Sequence, residues 1–243
     1  MTKPNHLYLL KYFYVIILFI SSLQVNSQSI FSEFALTGKG DLVLEGSNIR
    51  LQPEVFEAYK NMQAAALEEG ISIKIVSAYR SYNRQKNIWN RKYNKYISEG
   101  LSPKKAIDKI IEYSTIPGTS RHHWGTDIDI IDSSVQQPDD VLIEENYNAN
   151  GVYENLKKWM DNNAEKFGFY LVYTNDENRK GFKYEPWHYS YLPISKLMLQ
   201  EYSKIDLLKL LEASNLKGKK YVTKDFIEIY YFENILDINS DLK

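Results

Sequence analysis

Residues 120–131 read Ser-Arg-His-His-Trp-Gly-Thr-Asp-Ile-Asp-Ile-Ile, and from Asp127 to Ile131 acid alternates with isoleucine. Alternation with a period of two describes a strand with one polar and one apolar face. Asp127 and Asp129 share the polar face, and Ile128 and Ile130 enter the core. His122 and Asp129 lie seven residues apart, an odd spacing that a straight strand would put on opposite faces. The segment must therefore turn. Gly125 can supply that turn, leaving His122 on a loop and Asp129 inside the strand.

Working outward, Ile71, Ile73 and Ile75 alternate with Ser72 and Lys74 as a second, half-buried strand. Upstream, Pro53 to Glu69 has helical periodicity through Val55, Tyr59, Met62 and Ala66, and Gly70 closes it. Ser81 caps a helix running to about Ile97, with Gly100 beyond. Ser102 and Pro103 open another, with Ala106, Ile107, Ile110 and Ile111 on its apolar face. Pro117 to Gly125 is a loop. Downstream, Val152 to Phe167 is helical and stops at Gly168. Phe169–Tyr173 and Phe182–Tyr191 are strands around a polar turn at Asn175–Gly181. Helices first, then strands mixed with helices, predict an α+β domain with a small, mainly antiparallel sheet flanked by helices. Residues 28–50 are a leader with short extended pieces. Beyond residue 203, Ile205–Leu211 is a helix candidate, Lys217–Lys220 a basic turn, and Phe226–Phe232 strand or helix.

The chain has 243 residues, 44% hydrophobic and 25% charged, with a net charge of −1. That is an ordinary globular balance, and no basic field points to nucleic acid. Lys3 and Lys11 accompany an apolar run from Tyr12 to Leu23, too short for a comfortable transmembrane helix. Val25 and Ser27 follow where a signal peptidase cuts. The expected organisation is a signal peptide at 1–27, a catalytic domain at 28–202 and an extension at 203–243 packed on it, with a partner-docking element as the alternative for the extension. Export across the cytoplasmic membrane to the periplasm or cell envelope follows. Membrane association follows only if the N-terminal segment stays uncleaved. The chain contains no cysteine, which excludes a lipid-anchored cysteine, disulfides and thiolate chemistry.

Of four histidines, His6 lies in the signal. The others, His122, His123 and His188, fall in two short segments that also hold carboxylates. A lone histidine is more often structural than a ligand, but here each lies beside an acid in a Gly- or Pro-marked segment. Imidazole and carboxylate are suitable zinc ligands, and a zinc ion that keeps one position open takes three of them. The second segment is Glu185-Pro-Trp-His188, in which Pro186 argues against a helical arrangement. A bent strand can bring Glu185 and His188 to one cavity, with His188 as third ligand and Glu185 as general base. A third segment, Ser77-Ala-Tyr-Arg80-Ser-Tyr-Asn-Arg-Gln85, sits where a strand enters a helix. Arg80 there can stabilise an oxyanion or grip a carboxylate. Taken singly, each of these last two segments also reads as solvated surface.

Together the three segments resemble the VanY-like D-alanyl-D-alanine carboxypeptidase family, within the LAS group of zinc peptidases. That family reads Ser-x-His-x-x-Gly-x-x-x-Asp, then Glu-x-x-His, with Tyr-Arg-Ser upstream. All three occur here in order, between about Ile71 and Tyr191. The resemblance implies a LAS/hedgehog-like fold with a zinc site in a cleft on the sheet. It implies that His122, Asp129 and His188 bind Zn²⁺, that Glu185 is the catalytic base, and that Arg80 polarises the scissile carbonyl. Gln85 and Ser120 fall where the family contacts its substrate, a peptidoglycan stem peptide ending in D-alanine. Asp127 departs from the pattern, which has alanine there; it is either an acceptor behind a ligand or a competitor in the choice of ligands. His123 is a neighbour of the site, not a ligand. The implied activity is D,D-carboxypeptidase. The alternatives are an L,D-carboxypeptidase acting on tetrapeptides, an endopeptidase, and a non-catalytic wall-binding module on the same scaffold.

Overall fold

The computed structural model describes residues 30–243. The signal expected at 1–27 lies outside the described residues. Residues Phe31–Lys243 form one compact unit. Among the described residues, no helix is long and apolar enough to cross a membrane.

The acid–isoleucine stretch is the centre of the sheet. Strands β1 (Ile73–Ser77), β2 (Asp127–Asp132), β3 (Phe169–Leu171) and β4 (His188–Tyr191) form one antiparallel sheet in the order β1-β2-β4-β3. This is the α+β architecture expected from the sequence. Registers Ile75↔Ile130 and Ile128↔Tyr189 place one set of side chains on one face. Ile73, Ile75, Ile128 and Ile130 are buried there against helices α2 (Pro53–Glu68) and α5 (Glu154–Asn163), with Val55, Met62, Leu156 and Met160 opposite. Each fully buried isoleucine contributes about 1.5–3 kcal/mol of hydrophobic stabilisation. Short α1 (Glu33–Leu36) precedes this core.

The other face carries Asp127, Asp129, His188 and Ser190, through registers Asp127↔Ser190 and Asp129↔His188. All six residues of β2 are buried, so the polar face is not solvated. The second apolar cluster joins Trp89 of α3 (Tyr82–Ser98) and Ile107 and Ile110 of α4 (Pro103–Ile110). Met198 and Tyr202 of α6 (Leu192–Tyr202), residues of α7 (Leu207–Glu212) and Tyr230 of α8 (Lys224–Tyr230) belong to the same cluster. Ser81, Ser102 and Thr223 cap α3, α4 and α8 through their side chains.

Two local expectations differ from the structure, and one that was open is decided by it. Residues 192–202 carry no helix in the sequence reading, yet α6 forms with Pro193 in its first turn, where no backbone donor is needed, and buries Ser195, Met198, Leu199 and Tyr202. The strand expected over Phe182–Tyr191 shrinks to β4. Its first half turns instead, with His188 N bonded to Glu185 O at 3.1 Å and Lys183 N to Glu112 O at 3.0 Å. Phe226–Phe232, open between strand and helix, is helical as α8 and continues into a π turn at Tyr231–Ile235.

Candidate active site

The site is built by three chain turns meeting on the polar face of the sheet. The first is a 3-10 turn at Arg121–Trp124, closed by Gly125 in the left-handed conformation at φ 67°. A Cβ at this position would stand 2.7 Å from Leu44 Cδ2. Gly125→Ala is therefore expected to cost about 1–2 kcal/mol from the backbone conformation alone. A lowered urea midpoint checks this; an unchanged midpoint would show that the turn tolerates a side chain. The second is the break in β1, where the register shifts between Ile75 and Ser77 and brings Ser77 opposite Asp129. Bulges of this kind re-aim side chains beside sites. The third is the turn at Glu185–Trp187 that leads into β4.

His122, Asp129 and His188 are buried, and each offers one ligand atom within 4.8 Å of the others. His122 Nε2 lies 3.3 Å from Asp129 Oδ2, and His188 Nδ1 lies 3.8 Å from Asp129 Oδ1. The two imidazole rings stack with centroids 4.7 Å apart. The far nitrogens are occupied. His122 Nδ1 donates to Ala78 O at 2.9 Å, and His188 Nε2 donates to Asp127 Oδ2 at 3.0 Å. Such contacts leave His122 Nε2 and His188 Nδ1 facing the centre. Asp129 Oδ1 is buried with no hydrogen-bond partner. Buried polar atoms are rarely left so, and one that stands 3.8 Å from His188 Nδ1 fits a cation between them. Two ring nitrogens and one carboxylate are the donor set of a catalytic zinc ion with an open position.

The electrostatics agree. Burial would raise the Asp129 carboxyl, but His122, His188 and Arg80 hold it down at about 2. Burial would lower His188, but its hydrogen bonds to Asp127 and Glu185 and the charge of Asp129 push it up to about 10. Both ring nitrogens of His188 thus face carboxylate oxygens, Nε2 toward Asp127 and Nδ1 toward Glu185. A cation held at Nδ1 would require that nitrogen without its proton. Burial lowers His122, against the pull of Asp129.

Glu185 Oε2 lies 2.8 Å from His188 Nδ1 and is 90% or more buried, so the carboxylate stands beside the triad without belonging to it. Arg80 donates through Nη1 to Gln85 Oε1 at 2.8 Å and through Nη2 to Ser77 Oγ at 2.9 Å, with Nη2 4.0 Å from Asp129 Oδ2. Its backbone N–H donates to His122 O, tying this segment to the first turn. A cleft of 490 Å³ opens over the group, lined by Arg80, Ser120, His122, Asp129, Glu185 and His188 among others. Such a volume suits a peptide end.

Ser120 thus stands on the cleft wall. Gln85 does not: it is fully buried behind Arg80, with its amide group on Thr115 O at 2.8 Å. Its place is to fix the guanidinium. His123 donates from Nδ1 to Arg80 O and accepts at Nε2 from Gly118 N at 3.0 Å, and burial lowers it to about 3. It is a neutral brace outside the triad. Asp127 faces His188 at Nε2, the ring nitrogen turned away from Asp129. Lys92 also lines the cleft, a residue the sequence reading passes over. Its signal was available, because Gln85, Ile88 and Lys92 share one face of α3 at helical spacing.

A family model described as VanY, D-alanyl-D-alanine carboxypeptidase, matches residues 48–194, more than half of the chain. A D-alanyl-D-alanine carboxypeptidase of Enterococcus faecalis (strain ATCC 700802 / V583) is 28% identical over 154 residues, which cover 62% of this chain and 50% of that protein. This chain thus spans about half the length of that relative. The bifunctional D-Ala-D-Ala dipeptidase and D-Ala-D-Ala carboxypeptidase VanXYC of Enterococcus gallinarum is 30% identical over 155 residues, 62% of this chain and 73% of that one. Among solved structures, VanYB in complex with D-alanine-D-alanine superposes with a TM-score of 0.53 at 22% identity, over 78% of this chain and 96% of that one. That likeness concerns the fold.

Proposed function

The chain belongs to the VanY family of D-alanyl-D-alanine carboxypeptidases, and from that premise we propose that it is a zinc-dependent D,D-carboxypeptidase releasing the terminal D-alanine of peptidoglycan stem peptides. The observation that carries this reading is the convergence of His122, Asp129 and His188 within 4.8 Å, with Glu185 and Arg80 beside them. His122 through Nε2, His188 through Nδ1 and Asp129 through its carboxylate would hold the metal. Zinc, when bound, supplies Lewis acidity that lowers the pKa of water to about 7 and polarises a carbonyl.

The residues of the chain do the rest. Glu185 accepts the proton of the attacking water and returns it to the leaving amine of D-alanine. Arg80, held by Gln85 and Ser77, donates to the carbonyl oxygen as negative charge develops on it. Because these two acceptors fix its fork, little reorganisation is needed when charge appears. Ser120 on the cleft wall contacts the peptide. VanYB is described in complex with D-alanine-D-alanine, the ligand this reading assigns to the cleft. The substrate lies outside the cytoplasmic membrane, so the reading requires export, which residues 1–27 would direct.

Purified protein with zinc, offered stem pentapeptide and tetrapeptide, is expected to release D-alanine from the pentapeptide alone, followed by mass spectrometry. Release from the tetrapeptide alone would replace this reading with L,D-carboxypeptidase. Release from neither would favour the wall-binding module.

A further inference from the structure

The strand that carries Asp129 also carries a second aspartate, at a position where the family pattern has alanine. Asp127 is completely buried. Its two carboxylate oxygens accept four hydrogen bonds. Oδ2 accepts from Arg121 Nε at 3.0 Å and from His188 Nε2 at 3.0 Å. Oδ1 accepts from Ser190 Oγ at 2.6 Å and from Thr126 Oγ1 at 2.8 Å. Arg121 in turn donates from Nη2 to Ser190 Oγ at 2.6 Å, and Asp127 is its only ion-pair partner among the described residues. Asp127 and Ser190 face each other across β2 and β4, two positions from Asp129 and His188 and on the same face. The pair is therefore a rigid floor directly behind one metal-facing imidazole.

An imidazole can turn its ring or change its tautomer, and either change withdraws a ligand nitrogen. A carboxylate that receives the far N–H removes both freedoms. Alanine at residue 127 could receive nothing from Nε2. We propose that Asp127 is a positioning residue of the metal site: anchored by Arg121 and Ser190, it holds the Nε2 proton of His188 and so presents Nδ1 to the metal. Arg121 serves this arrangement as the compensating charge that keeps Asp127 ionised in a dry site. An unpaired carboxylate there would be costly to bury, which explains why the aspartate and the arginine occur together.

The inference rests on the metal reading of His122, Asp129 and His188, and the test separates the two. Zinc affinity is measured on the full chain at neutral pH by competition with a chromogenic chelator, alongside thermal unfolding of the metal-free protein. Asp127→Asn keeps the shape and weakens the acceptor; its zinc affinity is expected to fall 10–100-fold. The double variant R121M/D127A leaves no buried unpaired charge. It is expected to unfold closer to wild type than Asp127→Ala alone, yet to keep a zinc affinity lowered 10–100-fold. A purely structural ion pair predicts the opposite for the double variant, namely stability and zinc affinity recovered together. Wild-type affinity in either Asp127→Asn or the double variant overturns the proposal. The double variant decides the matter if Asp127→Asn does not fold. Absence of zinc binding by the wild-type chain would instead overturn the metal reading, and the inference with it.

Discussion

Glu185→Gln is expected to slow D-alanine release by about 10²–10⁴-fold while zinc stays bound. Glutamine has nearly the same shape, so the turn at Glu185–Trp187 and the backbone bond from His188 N to Glu185 O survive. What is lost is the ability to take a proton. Glu185 stands beside the triad, with one oxygen 2.8 Å from His188 Nδ1, and is not one of the three converging ligands. The variant must therefore separate metal content from turnover. Zinc by elemental analysis should be unchanged, and D-alanine release at saturating peptide should collapse. A fully active variant would remove Glu185 from the mechanism. Loss of zinc would place it among the ligands. Arg80 gives a contrast: in the proposed mechanism its guanidinium would act on the developing oxyanion without exchanging a proton, so its removal should lower the rate with zinc still bound.

Much of this site was legible because its parts are local. The alternation Asp127–Ile131 fixes which side chains share a face, and the seven-residue offset from His122 demands a turn that only Gly125 provides cheaply. Pro186 rules out a helix between Glu185 and His188, and the structure shows the turn that this implies. What stayed illegible depends on distant partners. The role of Asp127 needs Ser190, 63 residues away. Gln85 reads as a substrate contact by position, but its burial is decided by Thr115 and Ser114, which the sequence does not bring to it. Helix α6 follows a strand without a loop, Tyr191 passing straight to Leu192, so no break in pattern marks its start.

The second large effect concerns Asp129→Asn, which is expected to abolish both activity and the stabilisation conferred by zinc. Asp129 is the centre of the triad. It faces His122 Nε2 at 3.3 Å and His188 Nδ1 at 3.8 Å, and one of its oxygens is otherwise without a partner. Asparagine preserves the volume, but its amide is neutral and carries donors that would face Arg80, 4.0 Å from Oδ2 in the native site. A ligand that binds only the folded state at 100 times its dissociation constant stabilises by about 2.7 kcal/mol. For a chain of this size that corresponds to a rise of about 5–11 °C in Tm. The wild-type protein should show this rise when zinc is added to chelator-treated material, and Asp129→Asn should show none. A variant that keeps the full zinc-dependent rise would mean that the ion binds elsewhere. The comparison is informative because the isoleucines flanking this position, Ile128 and Ile130, are untouched on the opposite face. The apolar core of the sheet stays intact, so loss of the zinc-dependent step reports on the donor set and not on the fold that carries it.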